Sequence, residues 1–298
     1  MNHSLDSNVR KVDISPNGPL DFSSQHAAWI NEQFVPENET DLRIEQIVRR
    51  GYTVFEDVYD SQELEAARDK IDRIYSEQVE EVGDEKILVD IGDANIARQL
   101  LAYDDFFLKS ATNPKITDII RKMMGDYIVL YQQNANIHMP GTSHTTGPWH
   151  RDLTFLHFTS SRPIAMTALH IIDDYTEENG GLSILPGTHR DESFPSFDYL
   201  DENKVFVCIP AGSVLLFDSN MWHSPGINGS NNPKRSMSHF YTVHLVRQEI
   251  SLPHLLKGKY SDDPELRRLL GYDIMQTQSV REWRMEKFQN SRKNLTVY

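Results

Sequence analysis

Thiols are nearly absent from this chain: its 298 residues include a single cysteine, Cys208. One thiol excludes an internal disulfide framework and any zinc or iron–sulfur site built from several cysteines. No stretch approaches the roughly 20 apolar residues that a membrane-spanning helix needs. The opening MNHSLDSNVRKVDISPNG lacks the basic and apolar segments of a signal peptide. These absences lead to the expectation of a soluble protein in a reducing cytoplasm. Positive charge is also scarce, with 30 Lys and Arg against 44 Asp and Glu, a formal balance of −14. That balance argues against nucleic acid or an anionic membrane as partner. A small molecule bound by a monomer or homodimer is the expected arrangement. Internal repeats are missing too, which excludes a solenoid.

What is present is ordinary globular composition, 39% apolar and 10% aromatic, in a chain long enough to bury a sizeable core. One domain is expected over residues 1–298, with an N-terminal arm (1–44), helical support (45–125), a β core (126–248) and C-terminal helices (249–298). Tyr52–Val58 reads as a strand. Asp60 with Glu63 three positions on reads as a capping box opening a helix, and a further helix is expected over Pro114–Met124. The acid-rich stretch Glu77–Asp93 reads as a solvated helix end and loop, with a mobile lid as the sharper alternative. From Tyr127 onward the apolar runs become short and are broken by turn residues such as Asn179-Gly180-Gly181. Many short strands at that spacing point to a sandwich or barrel.

The chemistry concentrates in a few positions of that β region. On a strand, residues i and i+2 face the same way, so His150 and Asp152 can present an imidazole and a carboxylate to one ion. His223, 71 positions after Asp152, is the best candidate for a third ligand. Two histidines and one carboxylate on one face are the ligand set of non-heme Fe(II) oxygenases. Arg235, twelve residues after His223, suits the far carboxylate of a chelating dicarboxylic oxo-acid, because guanidinium is planar and always charged.

The segment Glu178-Asn179-Gly180-Gly181-Leu182-Ser183-Ile184-Leu185-Pro186-Gly187-Thr188-His189, together with His150-x-Asp152, His223, Arg235 and the opening Gly51-Tyr52-Thr53-Val54, resembles the phytanoyl-CoA dioxygenase family over roughly residues 45–247. The resemblance implies a mainly β fold with flanking α-helices around a double-stranded β-helix (jelly-roll, cupin-like) core. It also implies Fe(II), 2-oxoglutarate and O2. Carried over residue by residue, His150, Asp152 and His223 would hold iron and Arg235 the distal carboxylate of 2-oxoglutarate. Gln133 best matches a polar cofactor contact, with Asn136 and His138 as rivals, and Thr167 matches a hydroxyl contact. One departure stands out: related oxygenases often carry Ser two residues after the Arg, where this chain has Met237, with Ser236 and Ser238 on the opposite face. Trp149, Arg151, Phe155, Met166 and Trp222 are candidates for a substrate pocket or, equally, for core.

The reading is a dioxygenase that hydroxylates or otherwise oxidises an unactivated C–H bond of a small molecule, a secondary metabolite or amine-bearing solute. The alternatives are an acyl-CoA hydroxylase of the same family and a non-redox, cupin-like binding protein. His189, His239 and His244 read as structural.

Overall fold

The computed structural model describes residues 34–142, 149–153 and 159–295. The expected arm therefore lies largely outside the described residues, and so does Phe155. The first helix, α1 (Glu39–Arg50), begins inside the stretch read as an arm. Asn38 caps it by accepting from the Asp41 amide, and Gly51 closes it at φ 93°, a left-handed turn that favours glycine. Strand β1 (Tyr52–Phe55) follows, shorter than expected at its end. Helix α2 (Ser61–Val82) opens with the expected Asp60–Glu63 capping box and buries Leu64, Ala67, Ile71, Ile74 and Tyr75 at helical spacing. The acid-rich stretch forms the end of α2 and the short α3 (Glu85–Asp90). There Glu81 accepts from the Tyr103 hydroxyl, and Asp93 pairs with Arg98. After α4 (Leu108–Ala111), α5 (Pro114–Met124) matches expectation, with Pro114 in its first turn.

The β region forms two antiparallel sheets. The larger has the order β1-β7-β4-β9-β3-β2 and the smaller β6-β5-β8. Their strands are β2 (Ile96–Ala97), β3 (Ile128–His138), β4 (Ala165–Ile171), β5 (Leu182–Ile184), β6 (Val205–Val207), β7 (Val214–Asp218), β8 (His223–Pro225) and β9 (Lys234–Val243). A strand has two faces, and the pattern of apolar residues chooses which one meets the helices. Ile128, Leu130, Met166, Ala168, Val214, Leu216 and Tyr241 pack in one cluster with Ile116 and Ile120 of α5. Ala135, Ile137 and Met237 pack against α2. The other face, with Leu169, Leu215 and Phe217, meets Leu182, Ile184 and Val207 of the small sheet. The helices thus cover one side of the large sheet, and the jelly-roll interior lies on the other.

Strand β3 changes face part-way. Its pairing with β9 shifts between Leu130 and Gln132, so Tyr131 is a bulge residue. Before the bulge, even-numbered residues face the helices. After it, odd-numbered ones do. Among the described residues no helix is long and apolar enough to cross a membrane.

Candidate active site

His150 and Asp152 do not lie on a continuous strand, as the i, i+2 argument supposed. They are placed by three backbone hydrogen bonds. His150 and His223 exchange both amides across an isolated antiparallel bridge, at 2.9 and 3.1 Å, and the Asp152 amide donates to Ser219 O at 3.1 Å. The turn between β7 and β8 therefore fixes all three residues at once.

The side chains converge accordingly. The imidazole centroids of His150 and His223 are 4.2 Å apart. Asp152 Oδ1 lies 3.9 Å from His150 Nε2 and 3.5 Å from His223 Nε2. Donor atoms each bound at about 2.1 Å to one ion sit about 3–4 Å apart, so the cluster has the right size for a metal. Its preparation fits as well. The His223 Nδ1–H donates to Met221 O at 3.0 Å, which leaves Nε2 aimed at the cluster. The Thr167 hydroxyl donates to Asp152 Oδ2 at 2.5 Å and lies 2.9 Å from Ser219 Oγ. That occupies one carboxylate oxygen and leaves Oδ1 for an ion. Burial pushes the Asp152 pKa up, but the charges of His223 and His150 and the hydrogen bonds from His223 and Thr167 outweigh it, so the carboxyl is held below its usual range.

Two cavities meet at His150 and Asp152. The inner one, about 80 Å³, runs between the sheets and is bounded by Thr167, Leu169, Tyr175, Lys234 and Ser236. The outer one, about 580 Å³, opens past Tyr131, Leu153, Ser238 and Phe240. Asn136 borders both.

The inner cavity corrects the sequence reading of its cation. Arg235 does not face it. The Arg235 guanidinium donates to both oxygens of Asp72 on α2, at 2.8 and 2.7 Å, and to Asp173 at 3.0 Å. Lys234, one residue earlier, points into the cavity instead. It is 3% exposed, its Nζ donates to Gly181 O at 2.8 Å, and it sits 4.5 Å from the Tyr175 ring. Burial lowers its pKa to about 8. A signal for this was present in the sequence. On β9 the polar Ser236 and Ser238 share a face with position 234, whereas Met237 shares one with Arg235.

Gln133 is a second correction. Its amide donates to Phe107 O at 2.8 Å and meets His239 at 3.1 Å, and its carbonyl accepts from the Leu101 amide. The bulge at Tyr131 explains the error, since without it Gln133 would face the interior. Its rivals Asn136 and His138 are the ones that line the inner cavity. Met166 faces the helices within the apolar core. Arg151 is buried, donates to the carbonyls of Thr188, Asp191 and Glu192, and lies over the Trp222 ring at 4.6 Å. Trp222 also meets Phe194 edge-on. That pair organises the loop after β5, although Arg151 also borders the outer cavity. Trp149 is half-buried just before the His150 bridge.

The turn Asn179-Gly180-Gly181 is more than a hairpin. Asn179 Oδ1 accepts from the Thr176 and Gly181 amides and its Nδ2 donates to Asp174 O. Gly180, at φ 76°, crosses Gly226 so closely that a Cβ on it would sit 2.3 Å from Ile227 O. This crossing clamps β5 to the end of β8, the strand that begins with His223.

Comparison with known proteins decides the family. The chain matches the phytanoyl-CoA dioxygenase (PhyH) family over residues 47–236. The chain belongs to this family. The family consists of Fe(II)- and 2-oxoglutarate-dependent oxygenases, and this chain is a dioxygenase of that kind. The Mycobacterium tuberculosis protein Rv1501 is 30% identical over 206 residues, 67% of this chain and 74% of that protein. An ectoine dioxygenase of Sphingopyxis alaskensis is 22% identical over 259 residues, 76% of this chain and 82% of that one. Its crystal structure with 2-oxoglutarate and 5-hydroxyectoine overlays with a TM-score of 0.55, covering 75% of this chain and 82% of that chain at 22% identity. HygX from Streptomyces hygroscopicus, solved with nickel and 2-oxoglutarate, overlays at 0.55 with 16% identity, covering 71% and 90%. These overlays support the jelly-roll architecture expected from the sequence.

Proposed function

We propose that this chain hydroxylates an unactivated C–H bond of a small molecule, with His150, Asp152 and His223 holding Fe(II) and Lys234 holding the distal carboxylate of 2-oxoglutarate. The observation that carries this reading is the lining of the inner cavity, which brings together the His–Asp–His cluster and a buried ammonium. A slender diacid spanning that cavity would satisfy both.

When bound, the iron supplies the activation of O2, coupled to decarboxylation of 2-oxoglutarate, that makes a strong C–H bond reactive. The protein's residues position the reactants. Thr167 holds the Asp152 carboxylate with one oxygen turned toward the ion site. Met221 O fixes the His223 tautomer. Ser236, Tyr175 and Asn136 border the path between iron and Lys234, where they offer hydroxyl and amide hydrogen bonds to the diacid. Lys234 replaces its bond to Gly181 O with one to the incoming carboxylate, so the buried charge is never left unpaired. Leu169, Leu182 and Phe217 make the rest of the wall apolar, which keeps bulk water from the reacting centre. The outer cavity then receives the substrate on the other side of His150 and Asp152.

A binding protein without redox chemistry gives a buried lysine opposite a metal cluster no task, which favours the oxygenase reading. The test is succinate release from 2-oxoglutarate, with iron, across amines, amino acids, alkaloids and acyl thioesters. Release that depends on His150, Asp152 and Lys234 is the expected result. Turnover that persists in His150→Ala would overturn the ligand assignment.

A further inference from the structure

The rim of the outer cavity is held by a set of polar bonds, running from buried to exposed, that the metal and co-substrate do not use. They begin at Gln99, a non-glycine residue at φ 51°, in a left-handed conformation that costs about 1 kcal/mol. The Gln99 amide donates to Asn134 Oδ1 at 3.1 Å. Asn134 Nδ2 donates to Gln132 Oε1 at 2.9 Å, and Gln132 Nε2 donates in turn to the Glu249 carboxylate. Each donor–acceptor step fixes the next amide's orientation, so the chain ends by presenting a carboxylate. The Gln99 side chain also donates to Ile250 O at 3.4 Å, and Gln248 donates to Leu130 O and Leu270 O at 2.7 and 3.1 Å. Residues 248 and 250 are thereby tied to the body of the protein, and the alternate residues, Arg247 and Glu249, line the cavity.

These two opposite charges do not pair with one another: among the described residues neither is within ion-pair distance of an oppositely charged side chain. Of the two other arginines that line the cavity, Arg98 is already paired with Asp93 and Arg151 is held by the carbonyls of Thr188, Asp191 and Glu192. Both charges act on Tyr131: burial raises its phenol pKa, Glu249 raises it further and Arg247 lowers it. Between the rim and the metal cluster the wall is formed by Tyr131, Phe240 and Leu153, which pack together. The cavity is thus lined by an exposed anion held by Gln132, a separate exposed cation, an apolar wall and the His150 and Asp152 side chains.

We infer that the substrate is a zwitterion, with Glu249 receiving its protonated amine and Arg247 its carboxylate, while an apolar segment reaches past Tyr131 and Phe240. This rests on the dioxygenase reading for the reaction but not for the binding. The test is calorimetric titration of the full chain, with and without Fe(II) and 2-oxoglutarate under anaerobic conditions. The probes are α-, γ- and ε-amino acids, each beside its N-acetyl and carboxamide derivatives. At least one free amino acid should bind, with each derivative at least tenfold weaker. Glu249→Gln should abolish the discrimination against the N-acetyl derivative and leave that against the carboxamide. Arg247→Gln should do the reverse. This crossed pattern cannot arise from misfolding. The inference is overturned if no zwitterion binds, if the derivatives bind as well as the parent, or if both variants weaken all probes alike. Failure to bind 2-oxoglutarate would instead overturn the reaction reading, and the probe titrations on the metal-free chain would still decide the rim.

Discussion

Lys234 and Arg235 are neighbours in sequence and face opposite sides of the same sheet, the first into the jelly-roll interior and the second onto Asp72 and Asp173. Lys234→Met should weaken 2-oxoglutarate binding by about 30-fold or more, since one partner of a desolvated charge pair contributes about 2 kcal/mol or above. Arg235→Met should leave that affinity within about twofold while lowering stability by about 1–2 kcal/mol, because its partners are partly solvated. Calorimetric binding and thermal melts separate the two effects.

On the proposed assignment, the same lysine should make co-substrate binding sensitive to pH. Its pKa in the free protein is about 8, so it is charged at neutral pH and loses its proton as pH rises. Affinity for 2-oxoglutarate should be flat below pH 7 and fall by up to about tenfold per unit above 8. Lys234→Arg should flatten that profile, because guanidinium stays protonated. Affinity that is level to pH 9.5 in the native chain would remove Lys234 from the binding site.

Thr167→Val keeps the shape of the residue and deletes the hydroxyl that holds Asp152 Oδ2. Affinity for Fe(II), or for Co(II) as a probe, should fall about tenfold or more. Measured by competition with a coloured chelator, an unchanged value would make Thr167 a mere wall residue.

Gly180→Ala should destabilise the fold by about 3 kcal/mol or more, since its Cβ would collide with backbone at Ile227 and the left-handed conformation disfavours a side chain. Because the Gly180–Gly226 crossing holds the strand that starts at His223, metal affinity should fall along with melting temperature. Gly83→Ala has open space around it and should cost only the smaller conformational penalty.

On the helix side of the large sheet, His170 and His239 are fully buried with ring centroids 4.1 Å apart. Burial lowers the His170 pKa to about 3. A depressed folded-state pKa means that the unfolded chain takes up the proton first. The contribution is intact above the unfolded value near 6.5 and is lost as pH falls toward 3, at about 1.4 kcal/mol per unit. Asp218, raised to about 6 by burial, works in the opposite direction over part of that range. The comparison is therefore between native chain and His170→Gln: from pH 6.5 to 5 the variant should lose less stability in denaturant titrations.

Much of the architecture was legible because its signals are local. The Asp60–Glu63 box, Pro114 at a helix start and the change to short apolar runs at Tyr127 all depend on neighbouring residues, and all correspond to elements of the structure. The metal cluster was legible as a set of residue types, although the backbone device that gathers it, a bridge between His150 and His223, is long-range. What escaped was parity. A strand of period two leaves one binary choice, and on β3 the bulge at Tyr131 reverses that choice in mid-strand, which moved Gln133 out and Asn136 in. On β9 the choice fell between two adjacent cations, and residue type pointed to the wrong one.

The adjacency of Lys234 and Arg235 also bears on how the cavity could change over evolutionary time. Either cation could serve a carboxylate, and either could pair with Asp72 and Asp173, so charge alone would tolerate β9 sliding by one residue. Side-chain greasiness forbids it: the slide would turn Met237 into the metal chamber and bury the Ser236 and Ser238 hydroxyls against α2. On the proposed assignment, the co-substrate anchor is therefore selected by a methionine on the opposite face of the strand. A loop deletion between His223 and β9, accompanied by swaps at 236–238, would exchange a lysine site for an arginine site without inventing a new charge.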